Sequence, residues 1–189
     1  VRKRPPPSKR SGREAGAGDR AAAEPSLDPD AARARALKLL SRREHSAAEL
    51  ARKLQRRGAE PDTARDTVAR MQEAGWQSDA RYAEMLVRNR MAQGYGPLRI
   101  RAELAAARVP DAEARAALDA AEADWPALCT ELRARKFRAP PRTPAEWQKQ
   151  YRYLASHGFS AEAARAALKA AGGDASSAPE AEDWECPEA

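Results

Sequence analysis

The chain has 189 residues, 33% of them charged and 5% aromatic, with a formal net charge of +6. That composition excludes the large aromatic-rich core most enzymes enclose, and its abundance of Ala, Leu, Arg and Glu favours helix at nearly every position. Charge is segregated: seven basic and three acidic residues precede Pro25, six acidic and no basic ones follow Ala171, and the stretch between carries +8, a sign that suits a phosphate backbone or an acidic protein surface.

Residues 1–27 mix Pro5, Pro6 and Pro7 with Gly12, Gly16 and Gly18 and scattered charge, too little apolar surface to order a chain. They read as a disordered basic arm. Ser26 and Asp28 can then cap a first helix, Pro29 suits its first turn, and Ala36, Leu37, Leu39 and Leu40 form an apolar stripe to about Glu44. Ser46 with Glu49 three residues on is a capping box for a short second helix, lined by Leu50 and Leu54 and stopped at Gly58. Pro61 opens a third, in which Ala64, Val68 and Met71 recur at helical spacing until Gly75.

A second series starts at Ser78 and Asp79 and carries Tyr82, Leu86 and Val87 to Gln93. It breaks at Gly94-Tyr95-Gly96, resumes at Pro97 with Ile100 and Leu104 inside, and after Arg108-Val109 starts again at Pro110 and Asp111, through Leu118. A third starts near Asp124 and Pro126, ends around Phe137 and passes a proline-rich linker, Ala139 to Arg142. Thr143, Pro144 and Glu146 make another capping box before Trp147, Tyr151 and Leu154, and after Gly158, Ser160 caps a last helix through Leu168. From Gly172 the chain is small, acidic and proline-containing, which predicts a disordered tail, either solubilising or folded back on the basic third series.

These series are one unit repeated at a spacing of fifty residues: Leu54, Leu104 and Leu154 fall in register, as do Val68, Leu118 and Leu168, Ala64, Ala114 and Ala164, Arg65, Arg115 and Arg165, and Leu37, Val87 and Phe137. The prediction is an all-α protein: three tandem three-helix modules, nine helices, in an extended, curved array with disordered tails. Its divisions are a basic arm at 1–27, modules at 28–75, 76–123 and 124–171, and an acidic tail at 172–189. Residues 25–75 carry +3, residues 76–125 carry −1 and residues 126–171 carry +6, so the outer modules are the basic ones.

Cys129 and Cys186 are far apart and form no Cys-x-x-Cys pair, which excludes a disulfide framework and a zinc site from the reading. His45 and His157, each at a helix end, assemble no nucleophile with a base, and no Gly-rich phosphate loop or metal cluster is present. The expectation is a non-enzymatic protein with no cofactor and no metal. Without an apolar run of membrane length, and with a basic start, Val1 to Arg13, lacking the apolar stretch of a signal peptide, a cytoplasmic protein with no membrane contact is expected. Each triplet contains a helix-turn-helix pair, but the third helices, Asp62 to Arg70 and Asp111 to Ala121, are Ala-rich with mixed charge, which disfavours groove reading.

The most distinctive strings are Asp79-Ala-Arg-Tyr82, Val87-Arg-Asn-Arg90, Gly94-Tyr-Gly-Pro97 and Arg99-Ile-Arg101 followed by Glu103-Leu104. With Ala36-Leu37, Ser46-Ala-Ala-Glu49-Leu50 and Lys53-Leu54 before them, and Tyr151-Arg-Tyr-Leu154 and Gly158-Phe-Ser160 after, the chain resembles the RecX family over about residues 31–171. One departure is Arg108, which stands where the outer modules have Gly58 and Gly158. The resemblance implies a monomeric, modular helical protein that lies in the groove of the RecA filament on single-stranded DNA and inhibits strand exchange and ATP hydrolysis. Two other readings stay open: a stand-alone helical DNA-binding protein and a helical-repeat adaptor between proteins.

The candidate contact residues follow from facing. Arg52, Lys53, Arg56 and Arg57 lie away from Leu50 and Leu54 and concentrate a basic face. Arg88, Arg99 and Arg101 lie off the apolar stripes, available to phosphates or acidic partners or simply solvated, whereas Arg90 shares the buried flank and predicts an ion pair within its module. Tyr95, between two glycines, is either an aromatic packed between modules or a direct contact. In the third module Arg133, Arg135, Lys136 and Arg138 precede the linker, and Lys149 and Arg152 follow it among Trp147, Tyr151 and Tyr153. Trp147, Tyr151 and Leu154 have core spacing. Tyr153 is the aromatic expected at the surface, and with Lys136, Lys149 and Arg152 it could hold a single strand without regard to sequence.

Overall fold

The structure, a computed structural model, describes residues 27–172. The basic arm before Leu27 and the acidic tail after Gly172, with the disorder and fold-back expected of them, lie outside the described residues. Among those residues there are nine helices and no strand: α1 Pro29–Leu40, α2 Ala47–Gln55, α3 Pro61–Glu73, α4 Asp79–Ala92, α5 Pro97–Ala106, α6 Asp111–Ala120, α7 Trp125–Lys136, α8 Pro144–Ser156 and α9 Ala161–Ala170. They form three tandem modules of three helices, and none is long and apolar enough to cross a membrane.

Local chemistry sets the helix ends. Asp28, Ser46, Ser78, Asp124, Thr143 and Ser160 each accept a hydrogen bond from the backbone N–H three residues on, which satisfies one orphan donor of the first turn. Both capping boxes are half formed. The Glu146 carboxylate takes the Arg142 N–H at 2.8 Å, one position before the cap, while Glu49 turns to Arg43, His45 and Lys53. Helix α1 stops at Leu40, short of the expected Glu44, because Arg43 has left the helix to reach Glu49 at 2.6 Å. The turn after α5 keeps the left-handed geometry of its counterparts: φ is 57° at Arg108, 92° at Gly58 and 87° at Gly158.

Each module buries its own core. Leu50, Leu54, Ala64, Val68 and Met71 form the first, Leu86, Val87, Ile100, Leu104 and Leu118 lead the second, and Leu132, Trp147, Leu154, Phe159 and Leu168 lead the third. Trp125 packs against both the second and third cores.

Neighbouring modules are joined where their second helices meet end to end. Gly96, the N-cap of α5, donates its N–H to the His157 carbonyl at the C-cap of α8 (2.7 Å), and Leu98 N–H donates to the Gly158 carbonyl (3.0 Å). Fifty residues earlier the same two positions meet again: Ser46, the N-cap of α2, donates its hydroxyl to the Ala107 carbonyl at the C-cap of α5 (2.9 Å). The negative end of one helix dipole thus faces the positive end of the next, twice. The second junction is the tighter. A Cβ on Gly96 would fall 2.7 Å from the Phe159 nitrogen, and one on Gly158 would fall 2.9 Å from Arg99 Cα. Ser46 and Arg108, which occupy these places at the first junction, are tolerated because a hydroxyl, not a backbone N–H, spans the gap.

Candidate functional site

The second junction gathers several of the expected contact residues. Tyr95 leaves α4 through the Gly94-Tyr95-Gly96 turn and stacks on His157 from α8, ring centroids 5.5 Å apart and 19° from parallel. Arg90 and Arg99 lie over the Tyr95 ring at 5.8 and 5.2 Å. Tyr153 lies 4.2 Å from the same imidazole, meets Phe137 edge-on at 5.3 Å, and carries Lys136 over its ring at 5.5 Å. The His157 Nδ1–H donates to the Tyr153 carbonyl at 2.8 Å, which fixes the ring plane. Of the two roles open to Tyr95, the geometry displays packing between modules. Tyr153 is half-buried, not exposed, because Phe137 and His157 close over it from either side.

The remaining expected residues divide by what holds them. Arg90 makes the intramodule ion pair its facing predicts, 2.6 Å from Glu103. Arg99 shares that carboxylate at 3.3 Å, so its position off the apolar stripe does not leave it without a partner. Arg88 is exposed and loosely paired with Glu84 at 3.8 Å, Lys53 pairs with Glu49 at 3.3 Å, and Arg152 reaches Gln148 at 3.0 Å. Arg52, Arg56, Arg57, Arg101 and Lys149 are exposed. Trp147, Tyr151 and Leu154 are buried, as their spacing implies. Every second helix therefore turns cations outward: Arg52 on α2 with Arg56 and Arg57 at its C-terminal end, Arg99 and Arg101 on α5, Lys149 and Arg152 on α8.

Sequence reasoning missed the residues that lock the first junction. Asp79 Oδ1 accepts from Ala47 N–H at 2.8 Å, so α2 is capped from the second module, and it also accepts from Gln77 Nε2 at 2.9 Å. Gln77 Nε2 reaches the His45 carbonyl at 3.1 Å, and Arg81 pairs with Glu44 at 2.8 Å. Asp79 and Arg81 belong to the distinctive string Asp79-Ala-Arg-Tyr82, which was the available signal. Arg133, grouped with the surface cations by sequence, is buried: its Nε donates to Gln150 Oε1 at 3.0 Å and its Nη2 to the Ala139 carbonyl, so it holds the linker and not a ligand. Burial lowers its pKa.

Electrostatics at the junction are structural. Burial tends to raise the Glu49 pKa, but hydrogen bonds from Arg43 and His45 and their charges outweigh it and hold the carboxyl at about 2. His45, with its Nδ1 3.0 Å from Glu49 Oε2, is pushed below its ordinary value because burial outweighs the help of the carboxylate. The Cys129 thiol is raised to about 11 by burial, which makes it a poor nucleophile. Among the described residues no group of three or more His, Cys, Asp or Glu is placed to hold a metal ion.

Against known families, residues 32–71, 78–118 and 122–168 match in order the first, second and third three-helix domains of RecX. The chain belongs to the RecX family. The regulatory protein RecX of Chromohalobacter salexigens is 44% identical over 133 residues, 70% of this chain and 88% of that one. That of Stenotrophomonas maltophilia strain K279a is 45% identical over 136 residues, 71% of this chain and 83% of that one. The crystal structure of RecX from Lactobacillus salivarius superposes with a TM-score of 0.65 at 21% identity, covering 76% of this chain and 96% of that chain. The three RecX domain matches coincide with α1–α3, α4–α6 and α7–α9, so both end-to-end junctions lie between RecX domains.

Proposed function

We propose that this RecX-family chain regulates homologous recombination and DNA repair by lying in the groove of the RecA–DNA filament and inhibiting RecA strand exchange and ATP hydrolysis. It acts in the cytoplasm as a non-enzymatic monomer with weak, sequence-indifferent affinity for DNA of its own. The observation that supports this reading is the end-to-end series α8, α5, α2, which carries an outward cation set on each module. A filament offers the same surface at regular intervals, and modules fixed in series engage successive intervals with the effective concentration of an intramolecular event. Long-range attraction from the +8 array favours the encounter.

The test is RecA ATP hydrolysis on single-stranded DNA, titrated with this protein. Inhibition well below the ratio that would coat the DNA supports a filament contact. A second reading, a DNA-binding protein acting without RecA, draws on the exposed Arg135, Lys136, Arg138, Arg142, Lys149 and Arg152 of the third module. Under that reading inhibition appears only near saturation of the DNA. A third, an adaptor between other proteins, predicts no effect on RecA at any ratio.

A further inference from the structure

A cleft of about 400 Å³ opens on module 1 between α1 and α2, lined by Arg35, Leu39, Lys53, Arg56 and Arg57. Four of its five lining residues are cations and none is acidic. Arg35 is half-buried, yet among the described residues neither it, Arg56 nor Arg57 has a carboxylate partner. Glu49, one turn before Lys53, is already engaged by Arg43, His45 and Lys53. Several cations converging on one cleft with no acid in its lining make a place that favours an anion. The C-terminal end of the α2 dipole favours nearby cations and accounts for Arg56 and Arg57 in part. It does not account for Arg35, which comes from the middle of α1.

We propose that this cleft is a phosphate-binding subsite and that its occupant is the backbone of single-stranded nucleic acid. The proposal rests on the DNA affinity in the function proposed above and assigns part of it to one place. Three guanidiniums match the bidentate geometry of phosphate oxygens. No aromatic lines the cleft, so it offers charge to the backbone and no platform for a base. Concavity selects the single strand: a stiff duplex touches the exposed Arg56 and Arg57 but does not bend into the space in front of the half-buried Arg35. Lys53 on α2 and Arg56 and Arg57 just past its end line the same wall, and this lets it reach neighbouring phosphates.

The experiment measures the affinity of the full chain for a fluorescent oligo-dT of about twenty nucleotides, and for a duplex of equal length, across a salt series. The variants are Arg35→Ala and the double variant Arg56→Ala/Arg57→Ala, with Arg115→Ala, an exposed cation paired with Asp111 on α6, as control for lost charge. The slope of log affinity against log salt for the single strand falls by about 0.7 for each phosphate contact removed, while Arg115→Ala keeps the wild-type slope. For the duplex, Arg35→Ala leaves the slope unchanged. Melting curves show which variants fold, and the double variant, at two exposed positions, carries the test if Arg35→Ala does not. Wild-type slopes in the cleft variants overturn the subsite. An equal loss on duplex overturns the single-strand assignment. Variants that keep DNA affinity but no longer inhibit RecA make the cleft a protein contact and overturn the proposal as well. A wild-type chain with no salt-sensitive binding refutes the underlying DNA reading instead.

Discussion

Replacing Gly96 by serine puts into the second junction the residue that the first junction uses at the equivalent place, Ser46. Serine is a good N-cap and Gly96 has an ordinary negative φ of −87°, so neither α5 nor the backbone suffers locally. The added Cβ, however, falls 2.6 Å from the Gly158 carbonyl carbon and 2.7 Å from the Phe159 nitrogen, backbone atoms that have no rotamer in which to retreat. The modules must separate. What is lost is the Gly96–His157 hydrogen bond at 2.7 Å, the Leu98–Gly158 bond at 3.0 Å and the Tyr95–His157 stack. Two hydrogen bonds at about 0.5–1.5 kcal/mol each and one ring pair at about 0.5–1.5 kcal/mol make the coupling worth about 1.5–4.5 kcal/mol.

In a repeat array a lost interface term uncouples neighbours without dissolving either core. In a background with Trp76, Trp125 and Trp184 replaced by phenylalanine, Trp147, 2% exposed in the third core, reports that module by fluorescence, while circular dichroism reports all helices. Urea unfolding of Gly96→Ser should move the Trp147 transition to lower denaturant and part it from the helix signal, with a larger radius of gyration before unfolding begins. Gly75→Ser is the matched control: its φ is +71° with nothing within 4 Å of a new Cβ, so it costs about 1–2 kcal/mol of left-handed strain and leaves Trp147 where it was. Coincident transitions in Gly96→Ser, or a destabilisation no greater than that of Gly75→Ser, would refute the junction argument.

Acid should act on the first module through Glu49. Its folded pKa of about 2 lies below the ordinary 4.5, so its contribution, on the order of 2–3 kcal/mol, is fully present above pH 4.5 and lost as pH falls toward 2. The melting-temperature gap between wild type and Glu49→Gln therefore shrinks over that interval, and a constant gap contradicts the assignment. Charge reversal at Arg52, Arg101 and Arg152, all exposed, should leave the melting temperature within the range of ordinary surface changes, about ±0.5 kcal/mol, while weakening inhibition of RecA; variants that unfold show that these helix faces are wrongly assigned. Arg133→Ala strips the Ala139 carbonyl and Gln150 of a buried donor and should cost about 1–3 kcal/mol, read by thermal melting against the near-neutral Arg135→Ala.

The fifty-residue register made the cores legible because burial repeats with the helix period. Leu54, Leu104 and Leu154 are all fully buried, and Ala64, Ala114 and Ala164 are buried beside Arg65, Arg115 and Arg165, which face outward. What joins the modules was not legible. Ala47 with Asp79, Ser46 with Ala107 and Glu44 with Arg81 are contacts between segments that no periodicity connects. Arg99 shows a subtler limit: position off an apolar stripe says that a side chain faces away from the core, but the carboxylate one turn on, Glu103, and the Tyr95 ring decide whether it is free. Arg35 went unnoticed for the opposite reason. Its helix reads as an ordinary amphipathic one, and the absence of a partner becomes visible only once α2 is laid beside it.

The outer ends of the described array differ from its junctions. A head-to-tail series of equivalent helices is open in principle: the C-terminus of α2 could receive another N-terminus, as that of α5 receives α2. In the chain that place is taken. Leu27 donates its N–H to the Gly58 carbonyl at 2.8 Å, as Leu98 does to Gly158, so Leu27 takes on module 1 the place that Leu98 takes at the second junction. At the other end the register would start α8 at residue 147, fifty after Pro97, but the helix begins at Pro144. The extra turn is held by its Thr143 cap and the Glu146–Arg142 bond. Terminal units of repeat proteins commonly depart from the repeat, and in the described residues the departures are one backbone hydrogen bond and three residues of helix.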